Sequence, residues 1–205
     1  MTPEPTTING TGVVVNSLNQ GAIKNIRNKN TWSGPITLGA NATIVSGTLS
    51  GTITDSLVIS TGGINLVGYT LTTDVVKGMN ISGVISGTNG VLTKISGDTL
   101  ILGGANSYTG ATNINAGVLQ LENKDGLGSN SPGASSTGAS STTVVNGAAL
   151  KINGTGYTLT LSGTSTSGNT VASIIGLGTT GALEKVDSGT WILSGNNTYT
   201  GTTNY

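Results

Sequence analysis

The chain has no cysteine, no histidine and no phenylalanine, and only 8% of its 205 residues are charged. Each absence removes a class of function. Without Cys there is no disulfide framework and no thiolate metal site. Without His or Cys, the usual nucleophilic triads and the common zinc sites lack their members. Eight Lys and Arg balance eight Asp and Glu, and the one basic cluster, Lys24 with Arg27 and Lys29, falls short of the footprint that displaces counterions from phosphates. No nucleic-acid partner is therefore expected. Gly, Ser, Thr or Asn interrupts every apolar run well before the roughly 18 residues a spanning helix needs, so no membrane span is expected in this segment. The opening MTPEPTTING lacks the basic and apolar regions of a signal peptide. The calcium-binding Gly-Gly-x-Gly-x-Asp nonapeptide does not occur, and glycine-rich stretches lack the strand-loop-helix setting of a phosphate cradle. No cofactor is predicted.

What is present is glycine, 34 of them, on a 35% hydrophobic background. Disordered chains combine low hydrophobicity with high net charge, and this one has neither, so a folded protein is expected. Thr99 to Leu102 (TLIL), Val118 to Leu121 (VLQL), Thr158 to Leu161 (TLTL) and Trp191 to Leu193 (WIL) are short, rich in strand formers and closed by Gly, Ser or Asn. None sustains a helical period, and helix content close to zero is predicted. Ser-Gly pairs, among them Ser82-Gly83, Ser86-Gly87 and Ser96-Gly97, recur at short intervals and punctuate these strands with corners.

The chain also repeats itself. Gly90 to Ile114 and Gly181 to Tyr205 share 13 of 25 positions without a gap, at an offset of 91. NSYTG at Asn106 to Gly110 returns as NTYTG at Asn197 to Gly201, and NTWSG at Asn30 to Gly34 reads as a weaker first copy at an offset of 76. These offsets exceed one solenoid repeat and fit three or four coils of about 20 to 25 residues. Three short strands and Gly-rich corners make one turn of a parallel β-helix, whose narrow interior suits stacked Val, Ile and Leu rather than aromatics. About nine coils at roughly 4.8 Å per step give a rod some 40 Å long.

Leu92 to Leu121, LTKISGDTLILGGANSYTGATNINAGVLQL, resembles the strand repeat associated with autotransporter passenger domains and giant bacterial surface proteins. The shared pattern is Leu-x-Lys, a Gly-Thr-Leu-x-Leu strand, Gly-Ala-Asn-x-Tyr-Thr-Gly and a following Ala-Gly-x-Leu. Leu183 to Tyr205 keeps Lys185, GTWIL and NNTYTG and stops before the last of these; Asp98 stands where that family usually has Gly. The resemblance implies a right-handed parallel β-helix outside the cell, often in an adhesin or stalk, and a repeat that helps the passenger fold during export. It brings no catalytic residue.

From the residues themselves, Asn30, Asn106 and Asn197 are expected to fix left-handed corners. Gly34, Gly110 and Gly201 add conformational freedom there, and Trp32, Tyr108 and Tyr199 cap each corner with a ring. The competing reading makes the aromatics sugar-stacking platforms. Asp74, Asp98 and Glu122 recur at two equal offsets of 24. They stand in three ways: as a stacked carboxylate pair of a polysaccharide-cleaving β-helix enzyme, as a cation site, or as solvated corner charges beside Lys77 and Lys94. The last is preferred. Thr-x-Thr triplets at 52–54, 70–72 and 158–160 lack the constant spacing of an ice-binding face.

The sequence thus predicts an all-β protein, a right-handed parallel β-helix (β-solenoid) of about nine coils. Residues 1–205 form a single fragment of a larger passenger or stalk, with a loop thrown out at 128–141. It is expected to be extracellular or at the bacterial cell surface and to have no enzymatic activity. It serves as a rigid rod for adhesion or display, or as a module binding a glycan or a host surface protein through that loop or a tyrosine row. Partners are the adjacent β-helix repeats of the parent, an extracellular glycan or cell-surface ligand, and a second copy stacked end to end.

Overall fold

The computed structural model describes residues 4–15, 18–48, 54–128, 142–145, 147–152, 158–161, 164, 166, 169–171, 175 and 181–205. Among these there is no α-helix, and every strand pairing but one is parallel. The exception is a small hairpin, Val14–Val15 against Leu18–Asn19. Parallel strands cannot be joined by tight turns, so the chain must travel round and return one step along the ladder, which makes it a solenoid.

One sheet stacks Ile23–Asn25, Ile36–Ser46, Thr70–Val75, Val91–Ile95, Thr112–Ile114 and Thr142–Val144. A second stacks Lys29–Trp32, Ser56–Ile59, Met79–Ile81, Thr99–Leu102, Val118–Leu121 and Ala149–Ile152. A short third face carries Ile64–Asn65 and Ile85–Ser86. It joins the first sheet because Ile36–Ser46 runs straight through a position that bends in later coils. Ile59, Ile81, Leu102 and Leu121 pair in turn, so successive coils advance the numbering by 22, 21 and 19. The step from Thr112 to Thr142 takes 30. Most of the expected 128–141 excursion lies within that step and outside the described residues.

Alternation fixes which side chains face inward. Thr70–Val75 reads half-buried, buried, three times over, and Thr99–Leu102 repeats the pattern. Parallel in-register pairing then stacks like on like: Leu57, Met79, Leu100 and Leu119 form one inward column, and Ile59, Ile81, Leu102 and Leu121 the next. One continuous core runs from Ile8 to Ala148, with Trp32, Ala22 and Ile23 packed on it. Thr158–Leu161, Ala182–Lys185 and Thr203–Asn204 form a further parallel ladder, and Asn169–Val171 pairs with Trp191–Leu193.

Candidate functional site: the repeated corner

Asn106 is buried, and its side chain spans three coils. Its Oδ1 accepts from the Ile85 backbone N–H at 2.8 Å in the coil before. Its Nδ2 donates to the Gly126 carbonyl at 2.7 Å in the coil after. Asn106 does not have a positive φ, so the expected left-handed corner is corrected: the amide substitutes for a ladder bond rather than tolerating a strained turn. Asn197 repeats the first half of this wiring, accepting from Ile175 N–H at 2.9 Å.

Two residues further on, Tyr108 is 0% exposed. Its hydroxyl is 2.7 Å from Thr112 Oγ1, and burial pushes its pKa up to about 12 against the opposing hydrogen bond. A ring with no exposed surface is not a sugar platform. Tyr199 makes the same bond to Thr203, at 3.0 Å, from a half-buried position. The glycines act by absence of bulk. A Cβ on Gly110 would run into the Gly90 carbonyl, and one on Gly201 into that of Gly181. Neither has positive φ, so close approach of coils, not conformational freedom, selects glycine.

NTWSG at Asn30 is a different object. Asn30 pairs with Leu57, which lies level with Met79 and Leu100, so it occupies the position of Leu100 in the strand and not that of Asn106 in the corner. Its Nδ2 reaches back to Asn25 Oδ1 and the Arg27 carbonyl. Trp32 is level with Ile59, Ile81 and Leu102 and packs on the core, its Nε1 buried and without a partner among the described residues. Gly34 is buried beneath Gly62. The five-residue likeness is a coincidence of composition: strand register follows inward alternation, and here it puts the phrase on a strand ahead of the corner.

The sequence reading missed Lys94. It is 0% exposed, and its Nζ donates to the carbonyls of Ser96 and Ala116, both at 2.8 Å, with Ile95 O at 3.5 Å. Burial lowers its pKa to about 8, while Asp98 and Asp74 pull the other way. It is no surface pair; the one salt bridge among the described residues is Lys124 with Asp125. Ser96 takes φ +64 and Asp187 φ +61 at the matching position, and Lys185 likewise donates to Val186 O and Asp187 O. The ammonium thus satisfies carbonyls that the left-handed corner turns inward. The signal was available: Leu92 and Lys94 are two apart on a strand, hence on one face.

The three acids do not converge. Asp74 Oδ1 accepts from Ser96 Oγ at 2.6 Å on the first sheet, Asp98 Oδ1 from Thr99 N–H at 2.7 Å in the corner before the second, and Glu122 Oε1 from Gln120 Nε2 at 3.0 Å after it. Every coil here is shorter than the spacing between these acids, so they drift along the perimeter. No group of three acids fit to hold a metal occurs among the described residues. Of the Thr-x-Thr triplets, Thr52 and Ile53 lie outside the described residues.

The described residues thus form a parallel β-solenoid in which the same Asn and Tyr wiring recurs at two corners. Residues 92–121 and 183–204 match the passenger-associated-transport-repeat, so these two segments are autotransporter passenger repeats; the Asn30 phrase lies outside both. The chain is 50% identical over 58 residues to the adhesin BmaC autotransporter of Brucella suis biovar 1 (strain 1330). That match covers 27% of the chain and 2% of the relative. No solved structure matches. No helix among the described residues is long and apolar enough to cross a membrane.

Proposed function

We propose that this segment is part of the rigid passenger rod of a bacterial autotransporter adhesin, displayed outside the cell. The observation that carries the reading is the coincidence of two passenger repeats with two sets of the same wiring, Asn to the preceding coil and, within the coil, Tyr to Thr four residues on. In this reading Lys94, Asn106, Tyr108 and Gly110, with Lys185, Asn197, Tyr199 and Gly201, are register clamps. Asn106 and Asn197 tie their coils to the coil before, and Lys94 reaches the coil after through Ala116 O. The tyrosines brace their own corners through Thr112 and Thr203, and the glycines let adjacent coils approach, which supports coil-by-coil folding of the passenger during export. Asn30, Trp32 and Gly34 serve the same rod as packing and corner residues of the first coils.

The adhesive part of the proposal draws on the relative, which is an adhesin. The test replaces this segment, in its parent protein, with an unrelated β-solenoid of equal length. Retained adhesion makes the segment a spacer. Lost adhesion with normal export makes it an adhesive module, and lost export with Asn106→Ala alone supports the clamp.

A further inference from the structure

The charges of this rod are segregated. From residue 33 to residue 121 the only charged side chains are Asp55, Asp74, Lys77, Lys94 and Asp98. Asp55, Lys77 and Asp98 lie in the corner between strands of the first sheet and strands of the second, and Asp74 and the buried Lys94 stand near the ends of the first-sheet strands that lead into it. Within that span the short third face and the corners on either side of it carry none; Glu122, Lys124 and Asp125 follow on that side in the next coil. That neutral side nevertheless holds an exposed aromatic in an unusual setting. Leu66 to Tyr69 is a tight turn closed by Tyr69 N–H to Leu66 O at 2.8 Å. Both central residues have positive φ, Val67 at 50° and Gly68 at 85°. A β-branched residue there is an outlier, since Asn or Gly fits such a turn without strain. The turn holds Val67 52% and Tyr69 38% exposed at the corner.

The neighbouring coils bring uncharged hydrogen-bonding groups to this turn. Exposed Asn41 lies in the coil before, its Oδ1 accepting from Thr70 N–H at 2.9 Å and its Nδ2 unpartnered among the described residues. In the coil after, Val91 N–H donates to Tyr69 O, and the register brings exposed Thr88 and Asn89 level with the Val67-Gly68 turn. Asn65, exposed, holds the turn through Val67 N–H at 3.1 Å.

We propose that this corner is a binding site for an uncharged glycan, with Tyr69 as the stacking platform and Asn41 and Asn89 as amide partners of sugar hydroxyls. An apolar ring with a polar tip offers a pyranose its flat face, and amides with hydroxyls donate and accept at once, as sugar hydroxyls do. The lack of charge around the ring selects neutral over acidic sugars, because neither a basic partner nor a repelling acid is at hand. A polymer would follow the face from coil to coil. The proposal rests on the adhesive reading above and moves the contact from the 128–141 region to a defined corner.

The test titrates cellohexaose, maltohexaose and chitohexaose, with hexagalacturonate as the anionic comparison, into the ¹⁵N-labelled chain. In parallel, retention of the same chain on intact epithelial cells is measured. The expected result is that a neutral hexaose shifts the Tyr69, Thr70 and Asn41 amides, that Tyr69→Ala weakens binding at least about 10-fold, and that Tyr205→Ala does not. Binding of no neutral hexaose at millimolar concentration, binding that survives Tyr69→Ala, or tighter binding of hexagalacturonate overturns it. Cell retention that survives Tyr69→Ala then leaves the adhesive reading standing on another surface. No retention of the unmodified chain removes that reading, whatever the hexaoses do.

Discussion

The buried ammonium of Lys94 makes stability depend on alkaline pH in a way that can be worked out. Its pKa falls from 10.5 to about 8 on folding. Between those values the unfolded chain binds a proton that the folded chain lacks, so stability rises with pH through that window and is lost as pH falls through about 8. At 1.36 kcal/mol per pKa unit, the gain between pH 7 and pH 10 is roughly 2 to 3 kcal/mol. Tyr108 acts with the opposite sign. Its pKa rises from 10.0 to about 12, so its contribution is complete below pH 10 and is lost as pH rises towards 12, by a similar roughly 2 to 3 kcal/mol. Stability should therefore pass through a maximum near pH 10. Urea denaturation followed by far-ultraviolet circular dichroism from pH 7 to 12 measures it, with Lys94→Met and Tyr108→Phe as controls that remove the rising and the falling limb respectively. A flat profile from pH 7 to 10, or an undiminished rise in Lys94→Met, would refute a desolvated ammonium at this corner.

The remaining predictions concern single groups and are read by the same unfolding assay at pH 7. Asn106→Ala leaves the Ile85 N–H and the Gly126 carbonyl without partners and should cost about 2 to 4 kcal/mol; Asn106→Asp should cost more, because it buries a charge beside that carbonyl. Tyr108→Phe keeps the packing and strands Thr112 Oγ1, a loss of about 1 to 2 kcal/mol, whereas Tyr108→Ala opens a core cavity and should cost about 3 to 5 kcal/mol. Gly110→Ala should push adjacent coils apart at Gly90 and destabilise by at least about 2 kcal/mol; an unchanged midpoint would show that the coils slide freely. Val67→Asn relieves a β-branched residue at φ 50 and should stabilise by about 1 kcal/mol.

Sequence alone determined the architecture and the passenger repeats of two segments. Glycine punctuation, short β-branched runs and an ungapped self-match are local or periodic signals, and parallel coiling is the way to bury one apolar face per short strand while returning at a fixed period. The passenger repeat was legible because its two copies share residues whose roles are the same in both coils. Tertiary structure decided what those residues do. Asn106 and Gly110 read as turn formers from their backbone habits, yet their reasons lie in the coils before and after, a full turn away in sequence and one strand spacing away in space. The equal spacing of 24 left stacked carboxylates open beside the preferred solvated charges, but coils of 19 to 22 residues carry such a spacing from sheet to corner. Asn30 matched Asn106 as a letter, but register follows inward alternation, which put it on a strand. A lysine reads as a surface charge by its type, whereas pairing between Leu71 and Leu92 fixes the inward face of that strand and carries the ammonium into the core.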